Sequence, residues 1–142
     1  MQRHSGFTLI ELMVTIAIVA ILVAVALPNY NAYITRGKIA EATSNLLAMR
    51  TKMEQFFQDN RTYVGACAAG TVAALPTGKY FTYSCSALAA TTYTVRADGQ
   101  GNDLANLALT INQANVRTTV SVPAGWTMPA GSCWVSKKSG DC

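Results

Sequence analysis

Apolar residues are concentrated near the start of the 142-residue chain. From Leu9 to Leu27 every position is apolar except Glu11 and Thr15. At ~1.5 Å per residue, a helix of this length is about long enough to cross the hydrocarbon core of a bilayer. The stretch therefore predicts a membrane-spanning helix. Because a carboxylate is costly to insert into lipid, Glu11 is expected to be neutralised, located at the membrane edge or functional.

The pattern after Leu27 is that of an amphipathic helix. Pro28 lacks a backbone N–H and its ring clashes with the preceding turn, so it is expected to kink or locally open the helix without ending it. Apolar residues then recur every three or four positions, which predicts a packed stripe. The stripe consists of Ile39, Ala42, Leu46, Met49, Met53 and Phe56, and Tyr30, Tyr33 and Ile34 continue it backwards. The opposite face carries Lys38, Glu41, Asn45, Lys52 and Asp59.

These two patterns together predict one helix from Phe7 to about Gln58. Such a helix is on the order of 75 Å long, which is much longer than a small globular domain needs. Its apolar half is therefore expected to protrude, where only lipid or copies of the same helix can bury it.

Four strand-like runs follow the helix. Alternating aromatic, β-branched and polar residues predict an antiparallel meander with one face against the helical stripe. The predicted strands are Lys79–Cys85, Thr91–Ala97, Leu107–Ile111 and Val116–Val120. The tail from residue 123 to residue 142 has no clear period and predicts an irregular loop.

The cysteines Cys67, Cys85, Cys133 and Cys142 all lie beyond the apolar stretch. Their wide gaps contain no C-x-x-C, which argues against zinc and thioredoxin-like sites. An even number in a translocated domain indicates two disulfides, for which three connectivities exist. Sequence neighbours favour Cys67–Cys85 and Cys133–Cys142. The predicted fold class is α+β, with a long helix on an antiparallel sheet of about four strands and a disulfide-closed C-terminal loop.

The composition argues against an enzyme. His4 is the only histidine and lies before the apolar stretch, so the rest of the chain has none for a catalytic triad or a metal site. No phosphate-binding glycine loop is present, and no metal or cofactor is predicted. The formal charge is +4, and loss of Arg3 would leave ten Lys and Arg against seven Asp and Glu. This mild excess does not by itself indicate nucleic acid.

A short polar leader, Met1-Gln2-Arg3-His4-Ser5-Gly6, precedes the apolar stretch. Arg3 is expected to hold this end on the cytoplasmic side. The segment Gly6-Phe7-Thr8-Leu9-Ile10-Glu11-Leu12 resembles the processing site of type IV prepilins. The resemblance is specific over roughly the first thirty residues and fades afterwards.

The resemblance implies a subunit of a bacterial type IV pilus that supports adhesion, twitching motility or DNA uptake. It implies cleavage after Gly6 by a prepilin peptidase, N-methylation of Phe7, and a Glu11 that neutralises the terminal amine of a neighbouring subunit during assembly. The implied partners are other pilin subunits, the peptidase, the inner-membrane assembly machinery and, before assembly, membrane lipid. The implied location is the inner membrane, with the head in the periplasm, and later the extracellular pilus.

The expected organisation has three parts. Residues 1–6 form the leader, residues 7–28 the apolar transmembrane and fibre-core half-helix, and residues 29–142 the globular head. Within the head we expect an amphipathic half-helix over residues 29–58, a loop over 59–78, the sheet over 79–122 and the C-terminal loop over 123–142. The resemblance adds a ladle shape and agrees with the C-terminal disulfide.

The residues themselves leave two partners open for the Glu11 carboxylate. It can neutralise the amine of its own chain, one helical turn away, or the amine of an adjacent helix displaced along the axis. In lipid either pairing is strongly preferred to none, and an intermolecular pairing would set the register between subunits.

Three alternative interpretations concern processing and class. Ala24-Val25-Ala26 fits an ordinary signal-peptidase site, which would release a soluble domain starting at Leu27. The chain without any cleavage would be a single-pass anchor. A type II secretion pseudopilin is the third alternative, against which stand the two predicted disulfides.

Two further segments are candidate ligand sites. Trp134, Lys137 and Lys138 are the basic and aromatic group of the head, and they suggest a contact to DNA or another surface as in a DNA-binding minor pilin. A solvated lysine pair beside a packed tryptophan is the structural alternative. The loop from Asp98 to Asp103 offers carboxylates for calcium, but it lacks the EF-hand pattern, and a solvated hairpin loop is favoured.

Overall fold

The computed structural model describes residues 6–142, without the side chains of residues 27–29. The predicted leader residues 1–5, including Arg3 and His4, lie outside the described residues. The chain divides into a first unit that ends at Ile34 and a second unit, Thr35–Cys142.

One helix, α1 (Leu9–Asn60), runs through both units. It begins two residues later than predicted because Thr8 caps it, and the Thr8 hydroxyl accepts a hydrogen bond from the Glu11 N–H at 3.2 Å. It ends at Asn60, after which Arg61 adopts a left-handed conformation with φ 59°. The Arg61 N–H then closes the last turn onto the Phe57 carbonyl at 2.7 Å.

Four antiparallel strands follow in the sheet order β1-β2-β3-β4. They are β1 (Phe81–Ser86), β2 (Thr94–Gly99), β3 (Ala108–Asn112) and β4 (Arg117–Ser121). The predicted α+β meander is confirmed. The predicted second strand begins three residues too early, although Tyr93, Val95 and Ala97 are all completely buried as its pattern indicates.

The core of the second unit lies between α1 and the sheet. All six members of the predicted stripe from Ile39 to Phe56 are buried. Tyr30, Tyr33 and Ile34, which continue the spacing of the stripe, are exposed and are not part of this core. The ion pair between Lys38 and Asp103 lies next to Ile39, the first buried residue of the stripe.

The polar face of α1 is not simply solvated. Lys38 forms an ion pair with Asp103 at 2.7 Å. Glu41 accepts hydrogen bonds from the backbone N–H groups of Lys79 and Tyr80. Asn45 donates to the Tyr83 hydroxyl at 2.9 Å. These side chains flank the buried stripe, and Glu41 fixes the segment leading into β1.

Two disulfides cross-link the second unit. Cys67 is bonded to Cys85, and Cys133 is bonded to Cys142, with Cα–Cα distances of 6.3 Å and 5.9 Å. This is the connectivity favoured by sequence neighbours. The first bond ties the loop after α1 to β1, and the second closes the C-terminal loop.

Candidate functional site

The N-terminal end of α1 is built as a reciprocal cap. The Glu11 N–H donates to the Thr8 hydroxyl, and Glu11 Oε2 lies 3.5 Å from both the backbone nitrogen and the hydroxyl of Thr8. The spacing Thr-x-x-Glu is that of a capping box. The Thr8-x-x-Glu11 spacing is present in the sequence, but the cap was not predicted from it, because Glu11 was considered only as a charge in a membrane-spanning stretch. The cap holds the Glu11 carboxylate beside the residue that follows Phe7.

Large apolar side chains remain uncovered along the first unit. Between Phe7 and Val25 they are 47% to 83% exposed. Thr15, the second polar residue of this stretch, is satisfied internally, because its hydroxyl donates to the Glu11 carbonyl at 2.7 Å. Among the described residues, α1 is the one element long and apolar enough to span a membrane.

Pro28 lies within α1, and the helix continues on both sides of it. The expectation that Pro28 does not end the helix is therefore met. The predicted kink falls where side chains are not described and stays a prediction.

The C-terminal loop is held against the sheet by a buried threonine and a tryptophan. The Thr119 hydroxyl donates to the Cys133 carbonyl at 2.8 Å and accepts from the Val135 N–H at 2.9 Å. The Trp134 indole N–H donates to the Thr110 carbonyl at 2.8 Å. The chain around Cys133 is thus fixed from both sides.

The predicted contact group of Trp134, Lys137 and Lys138 is only partly assembled. Trp134 is buried with 8% exposure, and the Arg117 guanidinium lies over its ring, 5.2 Å from the centroid. Lys137 pairs with Asp141 at 3.3 Å. The ring is therefore not open to a stacked base in this conformation.

The Asp141 carboxylate is an exposed partner of two groups. The hydrogen bond from the Ser139 hydroxyl, at 2.8 Å, and the nearby Lys137 hold the pKa of Asp141 below its ordinary value. The deprotonated carboxylate is thereby favoured, and it keeps Lys137 engaged within the loop.

The carboxylates at the end of β2 and in the loop after it form ion pairs. Both Asp98 carboxylate oxygens accept from the single Arg96 Nε–H, at 2.8 Å and 2.9 Å, and Asp103 is paired with Lys38. Within residues 6–142 the structure shows no group of three acidic, histidine or cysteine side chains arranged for a metal. Gly99 is required here, because an added Cβ would lie 2.4 Å from the Leu104 carbonyl oxygen.

An open groove of about 620 Å³ lies on the surface of the head. Its walls come from α1, from the β3–β4 turn and from the C-terminal loop. Thr43 and Leu47 contribute from the helix, and residues 115–117 contribute from the turn. The sequence did not indicate this groove, because its walls are far apart along the chain.

Comparison with known families supports the interpretation of the N-terminal motif. A family model described as the prokaryotic N-terminal methylation motif matches residues 1–27. A second model, described as type IV minor pilin ComP, DNA uptake sequence receptor, matches residues 28–107. Together the two matches run through the helix and the first two strands of the sheet, β1 and β2.

Relatives and a solved structure agree with these matches. The type IV major fimbrial protein FimA of Dichelobacter nodosus is 34% identical over 136 residues, covering 87% of this chain and 86% of FimA. Fimbrial protein EcpC of Eikenella corrodens is 39% identical over 79 residues, covering 56% of this chain and 52% of EcpC. The non-core minor pilin PilV of Neisseria meningitidis has a similar fold, with a TM-score of 0.53, 20% identity, and coverage of 66% of this chain and 97% of PilV.

The methylation motif, the long helix and the four-stranded meander define a filament subunit with an apolar N-terminal helix. Within that class the chain belongs to the type IV pilins, and it is a structural subunit of a type IV pilus. The resemblance of the segment around Gly6 to type IV prepilins is thereby confirmed.

Proposed function

We propose that this pilin is made as an inner-membrane precursor, is cut after Gly6 by a prepilin peptidase and is N-methylated at Phe7. The match of residues 1–27 to the N-terminal methylation motif supports this processing. In this proposal residues 1–6 are the leader, residues 7–28 cross the membrane, and the head faces the periplasm. Inner-membrane assembly machinery then moves the mature chain into the extracellular fibre.

The observation that carries the proposal is the exposure of the apolar side chains from Phe7 to Val25, which are 47% to 83% exposed. Burial of one such side chain is worth ~1.5–3 kcal/mol, so water is not a stable surrounding for the whole stretch. Lipid covers it before assembly and the helices of other subunits cover it afterwards. Because lipid is as apolar as the fibre core, transfer between them gives little hydrophobic gain, and helix packing and an external motor must drive assembly.

Glu11 is the residue that selects and aligns a neighbour in this proposal. Its capping contact to Thr8 keeps the carboxylate at the N-terminal edge of the helix. We assign its assembly role to pairing with the Phe7 amine of an adjacent subunit, because two charges that are costly in lipid neutralise each other there. Pro28 lets the half-helix adjust when it leaves the bilayer.

N-terminal sequencing and mass analysis of the chain from purified pili test the processing. We expect an N-methylated phenylalanine, Phe7, as the first residue. A chain that starts at Leu27 would indicate a secreted domain, and one that keeps Met1 would indicate a simple anchor. Either result overturns the proposal.

Incorporation of variants tests the role of Glu11. Glu11→Gln should insert into the membrane at the normal level but be depleted from sheared pili by about tenfold or more. Thr15→Val is the matched control, since its hydroxyl is satisfied within the helix, and it should incorporate normally. Normal incorporation of Glu11→Gln would argue against the intermolecular pairing.

A second candidate function is DNA binding at the pilus surface, as a minor pilin. The observation that favours it is the match of residues 28–107 to the ComP family model, whose description names a DNA uptake sequence receptor. In the C-terminal loop, Lys137 and Lys138 are the charged members of the predicted contact group, and a DNA contact there would involve phosphates rather than stacking on the buried Trp134.

Salt-dependent DNA binding by the full chain in detergent tests this second function. If the loop contacts phosphates, Lys137→Ala with Lys138→Ala should weaken binding to a DNA duplex and reduce the dependence of log K on log[salt] by about one to two. The single variants Lys137→Ala and Lys138→Ala are compared with Lys52→Ala, on the helix, which also removes one positive charge. Unchanged binding in the double variant would exclude the C-terminal loop as the DNA contact.

A further inference from the structure

The open groove between α1, the β3–β4 turn and the C-terminal loop has no assigned ligand. Its volume of about 620 Å³ lies in the range of small-ligand pockets, ~300–1,000 Å³. The C-terminal disulfide stiffens one wall, since Cys133 and Cys142 both line the groove. The groove is therefore a fixed feature of the head.

Arg117 is the positively charged side chain of this groove, and it is held in a fixed position. Its guanidinium lies over the Trp134 ring at 5.2 Å from the centroid. Trp134 is itself immobilised by its hydrogen bond to the Thr110 carbonyl at 2.8 Å. Among the described residues, no acceptor pairs with the Arg117 guanidinium. Its N–H donors are thus free to bind a ligand, and their planar fork suits a carboxylate.

The other side chains that line the groove are uncharged. Asn115, Thr43 and Ser132 bring an amide and two hydroxyl groups to the groove, and the Thr43 hydroxyl, which donates to the Ala40 carbonyl at 3.2 Å, can still accept a hydrogen bond. Leu47 and Val116 add apolar surface and are 39% and 41% exposed. The groove therefore offers one charged side chain, several hydrogen-bonding groups and an apolar wall.

We propose that this groove binds an acidic sugar, a pyranose that carries one carboxylate. The carboxylate would pair with Arg117, the ring hydroxyls would bond to Asn115, Thr43 and Ser132, and the C–H face of the ring would lie on Leu47 and Val116. A polyanion such as duplex DNA fits the lining less well, because its affinity depends on several cations and this groove contributes one.

Ligand-observed NMR titration of the full chain in detergent tests the site with glucuronic acid and with glucose, its uncharged counterpart. Glucuronic acid should bind at least tenfold more tightly than glucose. N-acetylneuraminic acid in a parallel titration distinguishes the two common kinds of acidic sugar, and binding of either one supports the proposal. Equal affinity for glucuronic acid and glucose, or no saturable binding of either acidic sugar, overturns it.

Variants separate the groove from the general positive charge of the head. Arg117→Gln should remove the preference for the acidic sugar, and Arg117→Lys should lower the affinity severalfold because the fork is lost. Lys52→Gln removes the same charge outside the groove lining and should leave affinity unchanged. An equal loss in Lys52→Gln, or equally tight binding of inorganic phosphate, overturns the assignment to a sugar. Displacement of glucuronic acid by a DNA duplex at matched ionic strength would assign the groove to nucleic acid instead.

Discussion

Glu41 on α1 accepts a hydrogen bond from the backbone N–H of Lys79, 38 residues later in the chain. Glu41 Oε1 lies 2.9 Å from the Lys79 backbone nitrogen and 3.2 Å from that of Tyr80. One carboxylate oxygen thus satisfies two N–H groups that precede β1 and have no strand partner at this position. The entry of the chain into the sheet is set by a helix side chain.

Removal of this carboxylate should destabilise the head. Glu41→Ala leaves both N–H groups to solvent and should lower the free energy of unfolding by about 1–2 kcal/mol, a modest value because the contact is partly exposed. Glu41→Gln keeps an acceptor oxygen and should cost less than half as much. Thermal unfolding followed by near-UV circular dichroism measures both. Equal losses of unfolding free energy in the two variants would contradict the role given to the acceptor oxygen.

Gly78 should not tolerate a side chain. A Cβ at this position would lie 2.4 Å from the Phe81 carbonyl oxygen and 2.7 Å from Tyr83 Cε2. Because the nearest atom is backbone, relief requires a shift of the chain, and Gly78→Ala should destabilise the head by about 2 kcal/mol or more.

Gly131 provides the control for that substitution. Nothing lies within 4 Å of a Cβ built there, and its φ is not positive. Gly131→Ala should therefore change the unfolding midpoint little. Similar midpoints for the two alanine variants would contradict the close approach at Gly78.

Thr119 should be needed for its hydroxyl group rather than its shape. It is 4% exposed and its hydroxyl bridges the Cys133 carbonyl and the Val135 N–H. Thr119→Val keeps the volume but leaves two polar backbone groups without a hydrogen-bond partner. We therefore expect a loss of about 2–4 kcal/mol in unfolding free energy. Thr119→Ser should retain most of the stability. Denaturant unfolding compares them, and a stable valine variant would refute the bridging role.

Tyr93 should limit stability at alkaline pH. It is completely buried, and its hydroxyl has no hydrogen-bond partner among the described residues. Burial raises the pKa of Tyr93, and the negative charge of Glu54 raises it further. A raised pKa favours the protonated phenol in the folded state. The contribution of the Tyr93 phenol to the free energy of unfolding is therefore complete below the pKa of an unfolded tyrosine, about 10. This contribution is lost as the pH rises above that value.

The variant Tyr93→Phe should consequently extend the alkaline limit of folding. At neutral pH its stability should equal that of the wild type or exceed it by up to about 1 kcal/mol, because an unpaired buried hydroxyl is removed. Tyr33→Phe is the matched control, since Tyr33 is 74% exposed. Circular dichroism between pH 7 and about 12 measures the difference. An unchanged alkaline midpoint would contradict the prediction.

The sequence predicted the regular elements well because periodicity reports which side of an element is buried. The stripe from Ile39 to Phe56 needed only the helical repeat, and Val95 and Ala97 needed only strand alternation. Tyr30 and Tyr33 continue the apolar spacing of the stripe but are exposed. Periodicity indicates a face that can pack, and the contacts decide how far the packing extends.

The candidate sites were predicted unevenly for the same reason. The motif around Gly6 is a contiguous segment, so the sequence alone was enough to identify it. Trp134 and Val135 are adjacent and both buried, a pattern that fits neither repeat, because the disulfide loop folds over the sheet edge. The stacking of Arg117 on Trp134 joins residues from two segments that the sequence does not connect.

Neither disulfide includes a residue of α1, so every S–S bond of the chain is confined to residues 67–142. No disulfide cross-links α1, so its resistance to a mechanical load along the axis comes from hydrogen bonds and packing. In the head, the two disulfides limit how far the chain can be stretched. In a pilus built from such chains, tension along the helices would act on hydrogen bonds and packing, while each oxidised head is held by its two cross-links.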